Sequence, residues 1–384
     1  MTSFHEYNNV SVVTVIVPQH RAQAILKKIY DNYGYTALQF DARGTLAHDR
    51  WYQAFIPMVN PENEYLQFIV ASDNVDDFMG YLVRVAQLHL PGAGGAYSTP
   101  CLSYASDNEK FINRSDVVSK DIVEQPINFK KNLSVVFALI QSGRTESAIR
   151  AAMQAGSHGP IVYYAEGRGT RDRMGWLKIT KKPYEEVIMT IVDKVDKDSV
   201  IDAIVNAGNI NVPGGGILYD LPISKGIVNF PTSMGKRSAL ATTHQMVAAL
   251  DELMGSSDWR DRRALARDDK QLGGESSSTN GGNACLLRIL VSRKYVHTIM
   301  DVAIEFGAPG TNVTYVKKLA SHADADGSGF IMHEEMGFIR MVLPQSLSVK
   351  IRDNLKYYCT EHNINNVLIC ELAVNKVIRY RSEQ

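Results

Sequence analysis

One order of short segments (strand, helix, strand, strand, helix, strand) recurs three times along this chain, and nothing else in the sequence limits its fold as strongly. In the first copy Val10 to Pro18 (VSVVTVIVP) is short and β-branched and reads as a buried strand. Arg21 to Tyr30 has helix composition and stops near Gly34, and Ala37 to Arg43 and Tyr65 to Ala71 read as strands. Asn74 to Leu90 sets Val75, Phe78, Met79, Leu82 and Ala86 at helical spacing. A glycine loop and a short strand close the unit.

The second copy runs through a strand at Leu133 to Gln141, a helix at Thr145 to Ala155 and strands at Pro160 to Glu166 and Val187 to Val192. It ends with a helix at Asp198 to Ala207 and a strand at Ile217 to Leu221. The third has strands at Leu286 to Ser292, Val313 to Lys317, Phe338 to Leu343 and Val367 to Leu372, with helices at Tyr295 to Phe306 and Ser346 to Cys359. This is the ferredoxin-like βαββαβ order, and the expected class is α+β with three tandem units. A chain of 384 residues is long enough for that number of small domains. The expected boundaries are 1–105, 131–232 and 284–384 for the copies, with linkers at 106–130 and 233–283. Residues 101–130 read as polar and irregular. The second linker holds a helix over Ser238 to Met254, a charged segment and the tether GGESSSTNGG.

Two loops share a pattern: LPGAGGAYSTP at Leu90 to Pro100 and VPGGGILYDLP at Val212 to Pro222. Glycines allow positive φ and remove Cβ atoms, so consecutive N–H groups can approach an anion. A tight turn from helix to strand would use the same residues. Forty-one basic and 41 acidic residues cancel, which argues against a broad nucleic-acid surface but leaves room for a local anion site.

The order of elements and three local motifs resemble the PII signal-transduction proteins. The second copy carries most of the likeness. Its AEGRGTRDRMGW (Ala165 to Trp176) resembles the base of the family's mobile T-loop, DKVDKDSVIDAIVNAG its second helix, and VPGGGILYDLP its B-loop region. In the third copy LAVNKVIRYRS (Leu372 to Ser382) resembles the C-terminal segment with its arginine pair. In the first copy DARGTL echoes EGRGTR. The resemblance implies an intramolecular pseudo-trimer and a non-enzymatic regulator of a partner protein in nitrogen or carbon metabolism. The partner would be an enzyme or membrane transporter, engaged through mobile loops. It also implies an adenine nucleotide, ATP or ADP, in clefts between copies. The binding residues it implies are Gly167, Arg168, Gly169, Thr170, Gly214, Gly215, Gly216, Arg379 and Arg381, with Arg43, Gly44, Gly92 and Gly94 in the first copy. Arginine suits the task because its planar fork can bind phosphate bidentately.

The copies depart from the family unequally. Ile217 stands where the family has a lysine, the first two copies lack the arginine pair, and the third has NINNVLI in place of a glycine loop. Arg168 to Thr180 has no tyrosine for uridylylation. The cleft joining the second copy's loop to Arg379 and Arg381 is therefore the expected full-strength site. A structural or interaction protein with degenerate sites is the alternative reading.

Asp324, Asp326, Ser328 and Glu335 match positions 1, 3, 5 and 12 of an EF-hand loop. The flanks read as strands rather than helices, so no metal site is expected. No nucleophile–base pair, GxxxxGK[ST] or His-rich metal set is present, and no enzyme is expected. Cys101, Cys285, Cys359 and Cys370 form no CxxC, the N-terminus lacks a signal pattern and no apolar run reaches membrane length. A cytoplasmic protein without membrane insertion is expected.

Overall fold

The computed structural model describes residues 3–44, 62–108, 111–113, 127–169, 184–230, 250–251, 253–255, 279–280, 283–322 and 330–380. The first stretch contains β1 (His5–Tyr7), β2 (Val10–Pro18), α1 (Gln19–Tyr33), β3 (Ala37–Gly44), β4 (Glu62–Ala71), α2 (Val75–Val85) and β5 (Gly94–Ser106). The second contains β6 (Leu133–Gln141), α3 (Thr145–Gln154), β7 (His158–Gly169), β8 (Tyr184–Asp193), α4 (Lys197–Gly208), β9 (Gly216–Pro222) and β10 (Lys225–Asn229). The third contains β11 (Thr279–Asn280), β12 (Ala284–Ser292), α5 (Val296–Glu305), β13 (Gly310–His322), β14 (Phe330–Pro344), α6 (Gln345–Glu361), β15 (Leu368–Ala373) and β16 (Lys376–Arg379).

The fold is mixed α+β, with the strands joined in one antiparallel sheet. Within it the same local order appears in each stretch: β5-β2-β4-β3, then β9-β6-β8-β7, then β15-β12-β14-β13. The edge strands β3, β7 and β13 pair with one another. At the other edge each stretch hands a strand to a neighbour. The far half of β5 pairs with β15, β10 pairs with β5, and β16 pairs with β9. Among the described residues that cycle leaves no long unpaired edge between stretches, which removes an aggregation hazard.

Alternation along the strands explains how this closes. In β6, Leu133, Val135, Phe137 and Leu139 face a core built from all three stretches. Val136, Ala138 and Ile140 face a separate core under α3 and α4. β2 and β12 divide in the same way, with their other faces under α1 and α2 and under α5 and α6. Strands covered on both faces read as nearly unbroken apolar runs, as VSVVTVIVP and LSVVFALIQ do. Helices therefore lie outside, strands inside, and one shared core fills the centre.

The segment from residue 101 on is less irregular than its composition suggests. β5 runs on to Ser106, and Phe111 and Ile112 join the central core. Asn113 bonds to the backbone of Thr36. This strand half forms because β15 of a distant stretch supplies its partner, and a local reading cannot show that. The expected helix over Ser238 to Met254 lies almost wholly outside the described residues. No described helix is long and apolar enough to cross a membrane.

Candidate functional site

α4 ends on Asn209, whose left-handed φ of 51° lets Ile210 N–H return to the Val205 carbonyl at 3.0 Å. The chain then crosses Pro213 and the three glycines into β9. Gly214 and Gly216 hold φ of 71° and 137°. A Cβ on Gly215 would lie 2.0 Å from the Asn209 carbonyl oxygen, and one on Gly216 2.0 Å from that of Leu139. Two glycines are thus required by close backbone packing. The Gly215 N–H closes the turn on Val212 O at 2.8 Å, and Gln141 donates to Gly214 O at 2.8 Å. Gly214 is exposed, whereas Gly215 is buried.

The first stretch repeats this turn, with Gln87 in the left-handed region, Gly92 at φ 76° and Gly94 at φ 118°. A Cβ on Gly94 would meet the Ile16 carbonyl at 2.0 Å. In the third stretch asparagines take over, with Asn363 and Asn366 at φ 50° and 60°. Asparagine tolerates that region better than most residues.

What lies across each loop differs, and the strand handed over by the neighbour decides it. Beside the second loop β16 sets Arg379 directly opposite Ile217, the residue after Gly216. Arg379 is half-buried and makes no ion pair among the described residues. β16 is anchored lower down, where Asn375 bonds to Asp220 and Lys376 reaches Asp198 at 3.1 Å. Beside the first loop β10 sets Val228 opposite Gly95 and Asn229 opposite Gly94. Asn229 there donates to Leu88 O at 2.5 Å. The Phe230 ring fills the adjoining space, and a Cβ on Gly95 or Gly159 would touch it at 3.1 and 2.4 Å. Beside the third loop the end of β5 brings Asp107. Its carboxylate accepts from Asn366 N–H at 2.9 Å and Val367 N–H at 2.7 Å. Burial pushes the Asp107 carboxyl up, against the pull of these two amides.

Arg379 and Gly214 to Gly216 are therefore brought together as the sequence suggests. Arg168 is elsewhere: its guanidinium pairs with Asp301 on α5 at 2.9 Å, and β7 pairs Gly167 and Gly169 with Asn312 and Gly310. Two strands, β6 and β8, separate β7 from β9. Arg43 reaches Glu186 at 3.1 Å and Glu146 at 3.5 Å, and Gly44 pairs with Ile161. Both arginines brace one stretch against the next rather than face a glycine loop. Thr170 and Arg381 lie outside the described residues.

Asp324, Asp326 and Ser328 also lie outside them. Glu335 is exposed and binds Arg293 at 2.5 Å. The flanking elements are strands, β13 pairing with β14. Among the described residues no group of three or more His, Cys, Asp or Glu side chains is placed to hold a metal ion.

The sequence reading missed the charged centre of the shared core. Arg288 on β12 and Arg340 on β14 are each 3% exposed. The available signal was a single arginine within each of two apolar runs, CLLRILV and GFIRMVL.

No protein-family model and no curated protein matches the chain. Among solved structures it is similar to chlorite dismutase from Candidatus Nitrospira defluvii, at 8% identity over 63% of this chain and 92% of that one, with a TM-score of 0.14. The same enzyme in complex with imidazole matches at 10% identity over 63% and 92%, again with a TM-score of 0.14.

Proposed function

We propose that the chain is a non-enzymatic regulator. Its three ferredoxin-like copies close into an intramolecular pseudo-trimer, and it binds an adenine nucleotide or related phosphorylated effector where the second and third copies meet. The observation that carries this reading is the position of Arg379 across from Ile217, at the mouth of the glycine turn. Of the three equivalent seams, one is filled by Phe230 and one is capped by the Asp107 carboxylate. The capped seam supports it: the Asn366 and Val367 amides hold an anionic group, the Asp107 carboxylate, supplied in cis. At the second seam the strand handed over carries a cation, Arg379, one residue before the position equivalent to Asp107 and beside an exposed turn, which suits an anion from solution. Binding there would bias the segments that follow β7 and β13, through which a partner protein would be engaged. Calorimetric titration with ATP, ADP, AMP and cyclic nucleotides tests this. Binding that Arg379→Ala weakens supports it, and silence from every nucleotide defeats it.

The filled seams favour a second reading, a structural or interaction protein whose nucleotide sites have closed. That reading predicts partner capture indifferent to any nucleotide.

A further inference from the structure

The inner faces of the three stretches meet in one layer, and strand register shows which residues correspond. Thr14 lies opposite Gln67 and Tyr97. Phe137 lies opposite Met189 and Tyr219. Arg288 lies opposite Arg340 and Cys370. One position is thus polar and neutral in the first stretch, apolar and aromatic in the second and doubly cationic in the third.

Thr14, Gln67, Tyr97, Phe137, Tyr219, Arg288 and Arg340 line a small cavity whose centre admits roughly one water-sized guest. No Asp or Glu lines it. Among the described residues neither arginine makes an ion pair. Arg288 donates to Cys370 Sγ at 3.3 Å and Gln67 Oε1 at 3.4 Å, with its guanidinium 5.4 Å from the Phe338 ring centre. Arg340 donates to Thr314 Oγ1 at 2.7 Å and to the Tyr163 hydroxyl. Arg340 Nε and Thr99 Oγ1 are buried and have no partner in the structure. Gln67 donates to the Tyr65 hydroxyl, which is itself hydrogen-bonded to Tyr97.

An uncompensated buried charge costs several kcal/mol even after relaxation, and here two sit within one cavity. Hydrogen bonding from the Cys101 thiol and the nearby Arg288 charge pull the Cys370 thiol down, so a thiolate can offset one of them. The other remains, in a chamber whose free polar atoms are donors.

We propose that this axial cavity binds one small monovalent inorganic anion of halide size, held by Arg288, Arg340 and the Thr99 hydroxyl. Tetrahedral oxyanions are too large for the space. Fusion of three copies in one chain makes such a site feasible, because one copy alone carries the arginines. Three identical copies would crowd six guanidinium groups onto the axis.

Crystals of the full chain grown or soaked in bromide test this directly. A single anomalous peak between the Arg288 and Arg340 guanidinium groups is expected. In parallel, replacing gluconate by chloride at constant ionic strength should raise Tm by about 2 degrees per tenfold in chloride once the site is half filled. Thr99→Val, which removes an unpaired hydroxyl and keeps the side-chain shape, should shift that dependence to higher chloride, and Thr99→Ser should restore it. Bromide found only elsewhere, or nowhere, overturns the proposal whatever the melting curves show.

Discussion

Arg379 faces Ile217 across the pairing of β16 with β9, and this one register position joins the C-terminal strand of the third stretch to the glycine turn of the second. Arg379→Ala removes no described hydrogen bond or ion pair and should leave Tm within about a degree of wild type. If a phosphorylated effector binds there, the loss of a charge-assisted contact should weaken it by about 10- to 100-fold. Arg379→Lys should recover part of the affinity, since it keeps the charge and loses the fork. Titration of ATP and ADP against the three proteins checks this.

Glycine substitutions separate packing from ligand binding. Gly216→Ala sets a Cβ 2.0 Å from the Leu139 carbonyl at a φ of 137°, and Gly94→Ala does the same against Ile16 at 118°. Each should cost about 3 kcal/mol or more, because backbone must move on both sides of the contact. Gly34→Ala is the control. It also has positive φ, 64°, but nothing lies within 4 Å of the added Cβ. It should cost only ~1–2 kcal/mol. Urea melts of the three variants give the comparison.

Where a strand is buried on both faces, as β6 and β12 are, its composition alone marks it, and the fourfold strand pattern was legible for that reason. β10, β16 and the far half of β5 were not. They are short or mixed in polarity, and their partners lie in other stretches. The same gap hid the fate of the arginines. The sequence motif places Arg168 beside glycines, but only the packing of β7 on β13 shows that Asp301 receives it. Arg288 and Arg340 escaped notice because an arginine in an apolar run reads locally as a snorkelling surface residue. Closure of the sheet is what denies them solvent.

Asp107→Ala strips the carboxylate from the Asn366 and Val367 amides and should destabilise the protein by about 2 kcal/mol. If these turns are anion sites by geometry, the vacated amides will accept an anion from solution. Inorganic phosphate should then raise the Tm of Asp107→Ala more than that of wild type. Equal responses would show that the turn holds only a carboxylate fixed by the fold.

Glu64 offers a pH test of the seam between the third and first stretches. It is 3% exposed, and its Oε2 has no partner in the structure. Burial and the nearby Asp41 raise its pKa to about 7, with Lys317 opposing. A carboxyl raised in the folded state favours folding while protonated. That contribution is complete below the ordinary value of 4.5 and is lost as the pH climbs through about 7. Glu64→Gln keeps the neutral shape at every pH. The variant and wild type should therefore have equal stability near pH 4, and the variant should gain as pH rises, levelling off above pH 7 at about 3 kcal/mol. Denaturant midpoints measured across that range show it. A difference that is flat with pH would mean that Glu64 titrates alike in the folded and unfolded chain, the Lys317 charge cancelling the effect of burial.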